Sequence, residues 1–200
     1  MTLTRRAANR RGQGGQLREE ILAAASRLLV NSSGDAVTLR AIAREAGIAA
    51  PSIYPHFAHR DAIIDAIVDR NFERLAETAA AAYVGAPAGA ARVRAVAWAY
   101  VRFAEENPSG YRIIFERTTA NIIENEQQYP EGLRAFQFLV DAVAGAVECG
   151  ESTSTDPERD AQALWAGGHG IITLVPATPD FPWRPTSELI DRLATALTGL

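Results

Sequence analysis

Side chains that can bind a polyanion gather in one short stretch, REAGIAAPSIYPHFAHRDAI, at residues 44–63. Between positions 52 and 60 it contains a serine, a tyrosine, two histidines and an arginine. All of these can donate hydrogen bonds to phosphate oxygens or to base edges. Such a set acts together only when a short, rigid element presents it.

No motif of an enzyme occurs along the 200 residues. The sequence has no His-Glu-x-x-His zinc motif, no glycine-rich phosphate loop and no nucleophile elbow. His169, the one histidine outside the short stretch, has no companions at metal-ligand spacing. We therefore expect a protein that is not an enzyme and that uses no metal and no cofactor.

The charge of the chain is divided unevenly. Residues 1–60 contain nine of the twenty basic residues, all arginines, but only four of the 24 acidic residues. This asymmetry indicates that the N-terminal third meets a polyanion and that the acidic remainder does not. We expect a cytoplasmic protein without a membrane span. The chain has a single cysteine, no hydrophobic signal segment is visible, and charged residues interrupt its apolar runs.

Helical periodicity predicts the elements around the short stretch. A first helix is predicted over residues 17–30, where apolar residues recur on one face. A second helix begins after Thr38, a good N-cap, and stops at Gly47, a good C-terminal residue. A long helix is predicted from Arg60 onward, with Ile63, Ile64 and Ile67 on its inward face.

Two prolines limit the element between these helices. Pro51 suits the first turn of a short helix that begins near Ala49 or Ala50, because no N–H is needed there. Pro55 does not suit a helix interior, so the helix must end or distort near Tyr54. The sequence thus predicts a helix of about two turns.

The rest of the chain also has the pattern of helices. They are predicted over residues 89–106, from about 107, and over 131–149, 156–175 and 186–197. No strand alternation is convincing, so the fold class is all-α. The segment PATPDFPWRP at 176–185 has prolines every three residues and predicts a stiff polyproline II connector.

Two helices joined at a glycine turn, the second of them short, have the geometry of a helix-turn-helix motif, whose second helix enters the DNA major groove. The stretch VTLRAIAREAGIAAPSIYPHFAHRDAIIDAI resembles the DNA-binding domain of the TetR family of bacterial transcriptional regulators. The threonine before the second helix, the A-x-x-A-G-I turn and the Y-x-H-F segment carry this resemblance. Two further segments, NPSGYRIIF at 107–115 and WAGGHGIITL at 165–174, resemble the tryptophan-histidine-glycine (WHG) C-terminal domain of some members.

Periodicity and resemblance together imply three parts. Residues 1–16 are expected to form a flexible basic arm, residues 17–62 a three-helix DNA-binding domain, and residues 63–200 a helical ligand-binding and dimerisation domain. The resemblance implies a ligand-responsive transcriptional regulator. We expect a repressor that binds palindromic double-stranded operator DNA as a homodimer and is released by a small molecule.

The resemblance also implies which residues contact DNA. Thr38 resembles a helix cap that touches phosphate, Tyr54 and His56 resemble a pair that contacts the DNA backbone, and Arg60 lies within reach of phosphate. The full predicted set is Thr38, Arg40, Ala49, Ala50, Pro51, Ser52, Tyr54, Pro55, His56 and Arg60. Since alanine has no hydrogen-bonding side chain, readout at positions 49 and 50 would be a methyl contact to thymine or groove shape. Specificity would then depend on Arg40, Ser52 and the arm.

The C-terminal domain is expected to bind a largely apolar effector and a second copy of the chain. The predicted effector-binding residues are Trp98, Phe103, Tyr111, Phe115, Phe136, Trp165 and His169. The predicted dimer residues, on the last two helices, are Trp165, Gly168, Ile172, Leu189, Leu193 and Leu197. Glycines 167, 168 and 170 would let a partner helix approach, and the apolar stripe of the last helix, Leu189, Ile190, Leu193 and Leu197, would have no intrachain use. Two alternatives stay open: a helical binding module that does not use its DNA-binding domain, and an activator.

Overall fold

A computed structural model describes residues 14–31, 37–121 and 130–200 of the chain. The chain divides into an N-terminal unit, residues 1–70, and a C-terminal unit, residues 71–200. The described residues form eight α-helices and one 3-10 turn, with no strand among them, so the all-α prediction is confirmed. The elements are α1 (Gly14–Asn31), α2 (Leu39–Glu45), a 3-10 turn (Ala50–Ser52), α3 (Arg60–Gly85), α4 (Ala90–Glu106), α5 (Pro108–Asn121), α6 (Pro130–Glu148), α7 (Pro157–Ala177) and α8 (Thr186–Leu197).

Helix α1 begins earlier than the sequence predicts. Its first residue is Gly14, so residues 14–16 of the predicted arm are helical rather than flexible. The remainder of that arm, residues 1–13, lies outside the described residues. In the described part of the chain, no helix is long and apolar enough to cross a membrane.

Both predicted ends of α2 are confirmed. The Thr38 Oγ1 accepts a hydrogen bond from the Ala41 N–H at 3.2 Å, which caps the first turn. At the other end Gly47 has a φ of 68°, and the Ile48 N–H donates to the Ala43 carbonyl at 2.9 Å. This glycine-dependent Schellman arrangement turns the chain sharply out of α2.

The N-terminal unit is held by an apolar core and by surface ion pairs. Its buried side chains come from α1, α2, the segment after the 3-10 turn and the first half of α3: Ile21, Ala24, Ala25, Leu29, Ile42, Ile53, Phe57, Ile63, Ile64 and Ile67. Arg27 pairs with Glu45 at 2.7 Å and joins α1 to α2. Arg18 stacks over the Phe57 ring, 4.9 Å from its centroid, and joins α1 to the segment before α3.

The C-terminal unit has its core between α4, α6, α7 and α8. The buried residues include Val93, Val96, Val101, Leu139, Val143, Leu164 and Ile190. Ile190 is 1 % exposed, and Leu193 and Leu197 pack against this core. The expectation that the stripe on α8 lacks an intrachain use is therefore wrong for these three residues.

The glycines of α7 serve the same intrachain packing. A Cβ built on Gly167 would lie 2.9 Å from Leu193 Cδ1. Gly168 is buried, with Ile190 and Tyr100 as its nearest side chains. The missing side chain of Gly167 thus lets α8 of the same unit approach α7, whereas a Cβ on Gly168 would make only ordinary van der Waals contacts.

The proline-rich segment is not the extended connector that its sequence predicts. Pro176 lies inside α7, and Thr178 caps the C-terminus of this helix. The Trp183 Nε1–H donates to the Thr178 carbonyl oxygen and hydroxyl, each at 3.2 Å. These bonds fold the segment back on itself, which a continuous polyproline II helix does not do.

Candidate nucleic-acid interface and effector site

The element after α2 is shorter than the predicted two-turn helix. Ala50–Ser52 form a single 3-10 turn, in which the Ser52 N–H donates to the Ala49 carbonyl at 2.9 Å. A second turn follows without regular helix, with the Phe57 N–H donating to the Ile53 carbonyl at 3.0 Å. The regular turn ends at Ser52, before Pro55 is reached, so Pro55 is not a helix-interior proline.

Two buried residues fix this segment, which we call the recognition segment (residues 49–57). Ile53 is fully buried and Phe57 is 5 % exposed. They are four residues apart, so both side chains lie on one side of the segment, against the core of the N-terminal unit. Of the three intervening residues, Tyr54 and Pro55 are exposed and His56 is half-buried.

The predicted DNA-contacting residues of this segment are exposed or half-buried, and none of them is fully buried. Tyr54 is 60 % exposed, an unusual position for an aromatic side chain. Ala49, Pro51 and Pro55 are exposed, whereas Ala50, Ser52 and His56 are half-buried. Thr38 and Arg40 are exposed at the start of α2.

His59 is a residue of this site that the sequence analysis missed. Its Nδ1 accepts a hydrogen bond from the Ala62 N–H at 3.1 Å, which caps the N-terminus of α3. Histidine is not among the preferred N-cap residues, so its type did not indicate this role. The signal for this capping role was the position of His59, directly before the predicted start of the long helix at Arg60.

Arg60, which is predicted to contact phosphate, also makes contacts within its own chain. Its Nε–H donates to the Val37 carbonyl at 2.5 Å, and its Nη1 lies 2.9 Å from Asp61 Oδ1. The first contact joins the start of α3 to the residue before Thr38. Arg60 therefore has a structural role at the base of the recognition segment.

An aromatic and hydroxyl cluster lies in the C-terminal unit. The Tyr111 hydroxyl lies 2.6 Å from His169 Nδ1, and the Tyr100 hydroxyl lies 2.9 Å from that of Tyr111 and 3.1 Å from Nδ1. The Phe115 ring centroid lies 4.7 Å from that of Tyr111 and 4.6 Å from that of His169. Trp165 extends the cluster from Phe115 toward Phe136, and it is 42 % exposed.

This effector cluster, Tyr100, Tyr111, Phe115, Phe136, Trp165 and His169, unites five of the seven predicted effector residues. Trp98 and Phe103 are not part of it: Trp98 packs against the four-helix core and Phe103 is 2 % exposed. Tyr100 was missed, although it lies on α4 between them.

The three titratable groups of the cluster, two tyrosines and one histidine, are uncharged near neutral pH, and burial shifts the pKa of each further toward the uncharged form. It raises the pKa of Tyr100, which the neighbouring Tyr111 raises further. It raises the pKa of Tyr111 to about 12, and it lowers the pKa of His169.

These directions predict how the stability of the C-terminal unit depends on pH. The unfolded chain takes up a proton at His169 below about pH 6.5, whereas the folded chain does not, so stability falls as pH falls through this range. Unfolded tyrosines ionise near pH 10 while Tyr111 stays neutral to about 12, so stability also falls as pH rises above 10.

All three tryptophans lie in this unit, so urea unfolding followed by tryptophan fluorescence reports on it. His169→Phe should flatten the acid limb, and an unchanged acid limb would contradict the assignment.

The residues predicted at the dimer interface are divided between buried and accessible positions. Gly168 is buried within its unit, whereas Ile172, Leu189, Leu193 and Leu197 are half-buried. Small and apolar residues that are accessible recur every three or four positions along one face of α7: Ala163, Ala166, Gly170 and Leu174. A Cβ built on Gly170 would meet nothing within 4 Å.

Two family models match the chain. Residues 21–67 match the bacterial regulatory proteins of the tetR family, and residues 93–197 match the tetracyclin repressor-like C-terminal domain. The second match alone covers more than half of the chain. It does not distinguish the WHG type, which stays a prediction.

Individual relatives agree with these matches. The chain is 32% identical over 111 residues to the HTH-type transcriptional activator FasR of Mycolicibacterium smegmatis (strain ATCC 700084 / mc(2)155). That match covers 54% of the chain and 51% of the relative, so it spans about half the length of this curated relative.

Solved structures agree over almost the whole chain. A protein of unknown function from Rhodococcus sp. RHA1 has a TM-score of 0.79 and 27% identity, with 95% of this chain and 97% of that one covered. A regulatory protein in the tetR family from Rhodococcus RHA1 has a TM-score of 0.74 and 16% identity, with 92% and 95% covered. The second likeness shows the fold alone. By its two family-model matches, the chain belongs to the TetR family of bacterial transcriptional regulators, which bind DNA and are not enzymes.

Proposed function

We propose that this regulator binds a palindromic operator as a homodimer and is a repressor that a largely apolar small molecule releases from DNA. The observation that carries the DNA-binding part is the recognition segment. Buried Ile53 and Phe57 hold it rigidly, while Tyr54 is 60 % exposed beside His56 and Ser52. Tyr54 lies between two buried residues in the basic third of the chain, and the hydroxyl of its exposed side chain can donate to a phosphate oxygen of the DNA backbone.

Arg60 provides the test of the phosphate contacts. Arg60→Ala should lower the slope of log K against log salt by about 1.8 for a dimer, since each lost phosphate contact contributes about 0.9. The melting temperature should fall as well, because the bond from Arg60 to the Val37 carbonyl is lost. Operator titrations at several salt concentrations, with thermal melts of the same samples, measure both.

Arg74→Ala is a matched control, since it removes an exposed arginine of α3 from the C-terminal unit. It should leave the salt slope unchanged. A lower melting temperature with an unchanged slope for Arg60→Ala would show that Arg60 is structural only, and the phosphate assignment would be wrong.

The effector cluster supports the ligand-responsive part of the proposal. It consists of aromatic rings, and its polar groups are two hydroxyls, one imidazole and the indole N–H of Trp165, all uncharged near neutral pH. Such a site suits an apolar molecule with one hydrogen-bonding group rather than an ion. Trp165, at 42 % exposure, places the edge of the cluster at the surface.

A competition experiment tests this site. Uncharged aromatic and aliphatic compounds, each with one hydroxyl or carbonyl group, are screened for release of a fluorescent operator. Tyr111→Phe should weaken release by the best compound about fivefold, the effect of one neutral hydrogen bond. Tyr83→Phe, which removes a hydroxyl outside the cluster, should not. Equal release from Tyr111→Phe would place the effector elsewhere.

The dimer is proposed to form through α7 and α8. The accessible face of α7, with Ala163, Ala166, Gly170 and Leu174, supports this because small side chains allow close helix approach. A stable interface of this kind is expected to bury more than about 2,000 Å².

An activator is the second candidate. The relative FasR, 32% identical over its matched part, is described as a transcriptional activator. Transcription with purified polymerase distinguishes the two functions. A repressor lowers the transcript yield from its promoter, and an activator raises it, depending on where the operator lies relative to the promoter. A binding module that does not use its DNA-binding domain would bind the effector but no duplex.

A further inference from the structure

The first three residues of the recognition segment, Ala49, Ala50 and Pro51, which we call its tip, carry no hydrogen-bonding side chain. Ala49 and Pro51 are exposed and Ala50 is half-buried. Ala49 is in extended conformation, with φ of −76° and ψ of 140°, and makes no side-chain cap bond. Three successive side chains at the tip thus offer only methyl and methylene groups.

The surroundings of this tip identify what it meets. Tyr54, which is exposed, and His56, which is half-buried, follow it in the same segment, and Arg40 is exposed on α2. Groups that can donate to phosphate and an apolar tip therefore occur in the same unit, in a part of the chain whose first 60 residues hold nine arginines and four acids. This combination suits a duplex, in which phosphates lie on either side of a groove.

The major groove presents one apolar feature, the C5 methyl group of thymine. Side chains without donors or acceptors cannot read the other features of a base edge. We propose that Ala49, Ala50 and Pro51 read a pyrimidine C5 methyl group, so that C5 methylation of a cytosine at the same position also strengthens binding. This inference rests on the proposed operator binding and adds the chemical group that is recognised.

Modified operators test the methyl contact without changing the protein. Each thymine of a selected operator is replaced by deoxyuridine, symmetrically in both half-sites. At one or two positions per half-site this symmetric replacement should weaken binding about fifteenfold, since each of the two lost methyl groups contributes about fourfold. Other thymines should tolerate the change.

A second set of duplexes separates methyl reading from groove shape. At the sensitive position the T·A pair is replaced by C·G or by 5-methylcytosine·G. The methylated pair should bind about fourfold more tightly than the unmethylated one. Equal affinities for the two would overturn the proposal.

Variants of the tip assign the contact. In at least one of Ala49→Gly, Ala50→Gly and Pro51→Ala, the affinities for the thymine and deoxyuridine operators should become equal. Ala58→Gly, at an exposed alanine after the recognition segment, should keep the full difference. If the wild type binds the operator and no deoxyuridine position matters, or if all variants keep the difference, the methyl proposal is wrong. If no duplex is bound at all, the proposed function itself fails.

Discussion

Tyr54→Phe is expected to weaken operator binding about 100-fold while the melting temperature stays unchanged. A hydrogen bond to a charged group contributes about 1.5 kcal/mol, and a dimer loses two of them, about 3 kcal/mol together. The ring is 60 % exposed, so its hydroxyl adds little to the packing of the folded chain. Fluorescence anisotropy with a labelled operator and a thermal melt measure the two quantities.

Tyr83→Phe is the matched control, because it also removes one tyrosine hydroxyl but lies in the C-terminal unit. Its operator affinity should equal that of the wild type. An affinity of Tyr54→Phe within twofold of the wild type would show that the hydroxyl does not contact phosphate.

Ala166→Arg is expected to convert the dimer to a monomer and to weaken operator binding about 1,000-fold. A buried, unpaired guanidinium costs several kcal/mol, which a helix interface of small residues cannot offset. A single chain then binds one half-site and loses the gain from simultaneous binding of two. Light scattering at micromolar concentration and operator titration measure the two effects.

Ala81→Arg adds the same charge at an exposed alanine on α3 and serves as control. It should remain dimeric. A dimeric Ala166→Arg with full operator affinity would rule out the accessible face of α7 as the interface.

The ends of α2 were predictable because local rules decide them. The cap at Thr38 and the turn at Gly47 depend on bonds between residues three to five positions apart. The buried face of α3 followed in the same way from its periodicity, with Ile63, Ile64 and Ile67 all buried as predicted.

The form of the recognition segment was less predictable. Pro51 and Pro55 indicated a short element, but not that the first turn would be 3-10 and end at Ser52. Helix propensity does not decide between a 3-10 turn and an α turn over three residues. The two turns differ only in whether an N–H donates to the carbonyl three or four residues back.

The effector cluster and the α7 glycines depended on tertiary packing. Trp98 and Tyr100 lie on different sides of α4, and the positions of α5 and α7 bring Tyr100 into the cluster. A glycine stretch lets any helix approach, whether from a partner or from the same chain. In the structure, Gly167 accommodates Leu193 of the same unit.

Operator binding by a dimer is tested most directly by selecting bound duplexes from a random pool with the purified protein and measuring the stoichiometry on the enriched sequence. We expect an inverted repeat whose two half-sites lie on one face of the helix, bound by two chains. Tyr54→Phe should enrich the same sequence with lower affinity. No enriched sequence, or a single site without symmetry bound by one chain, would contradict the proposed function.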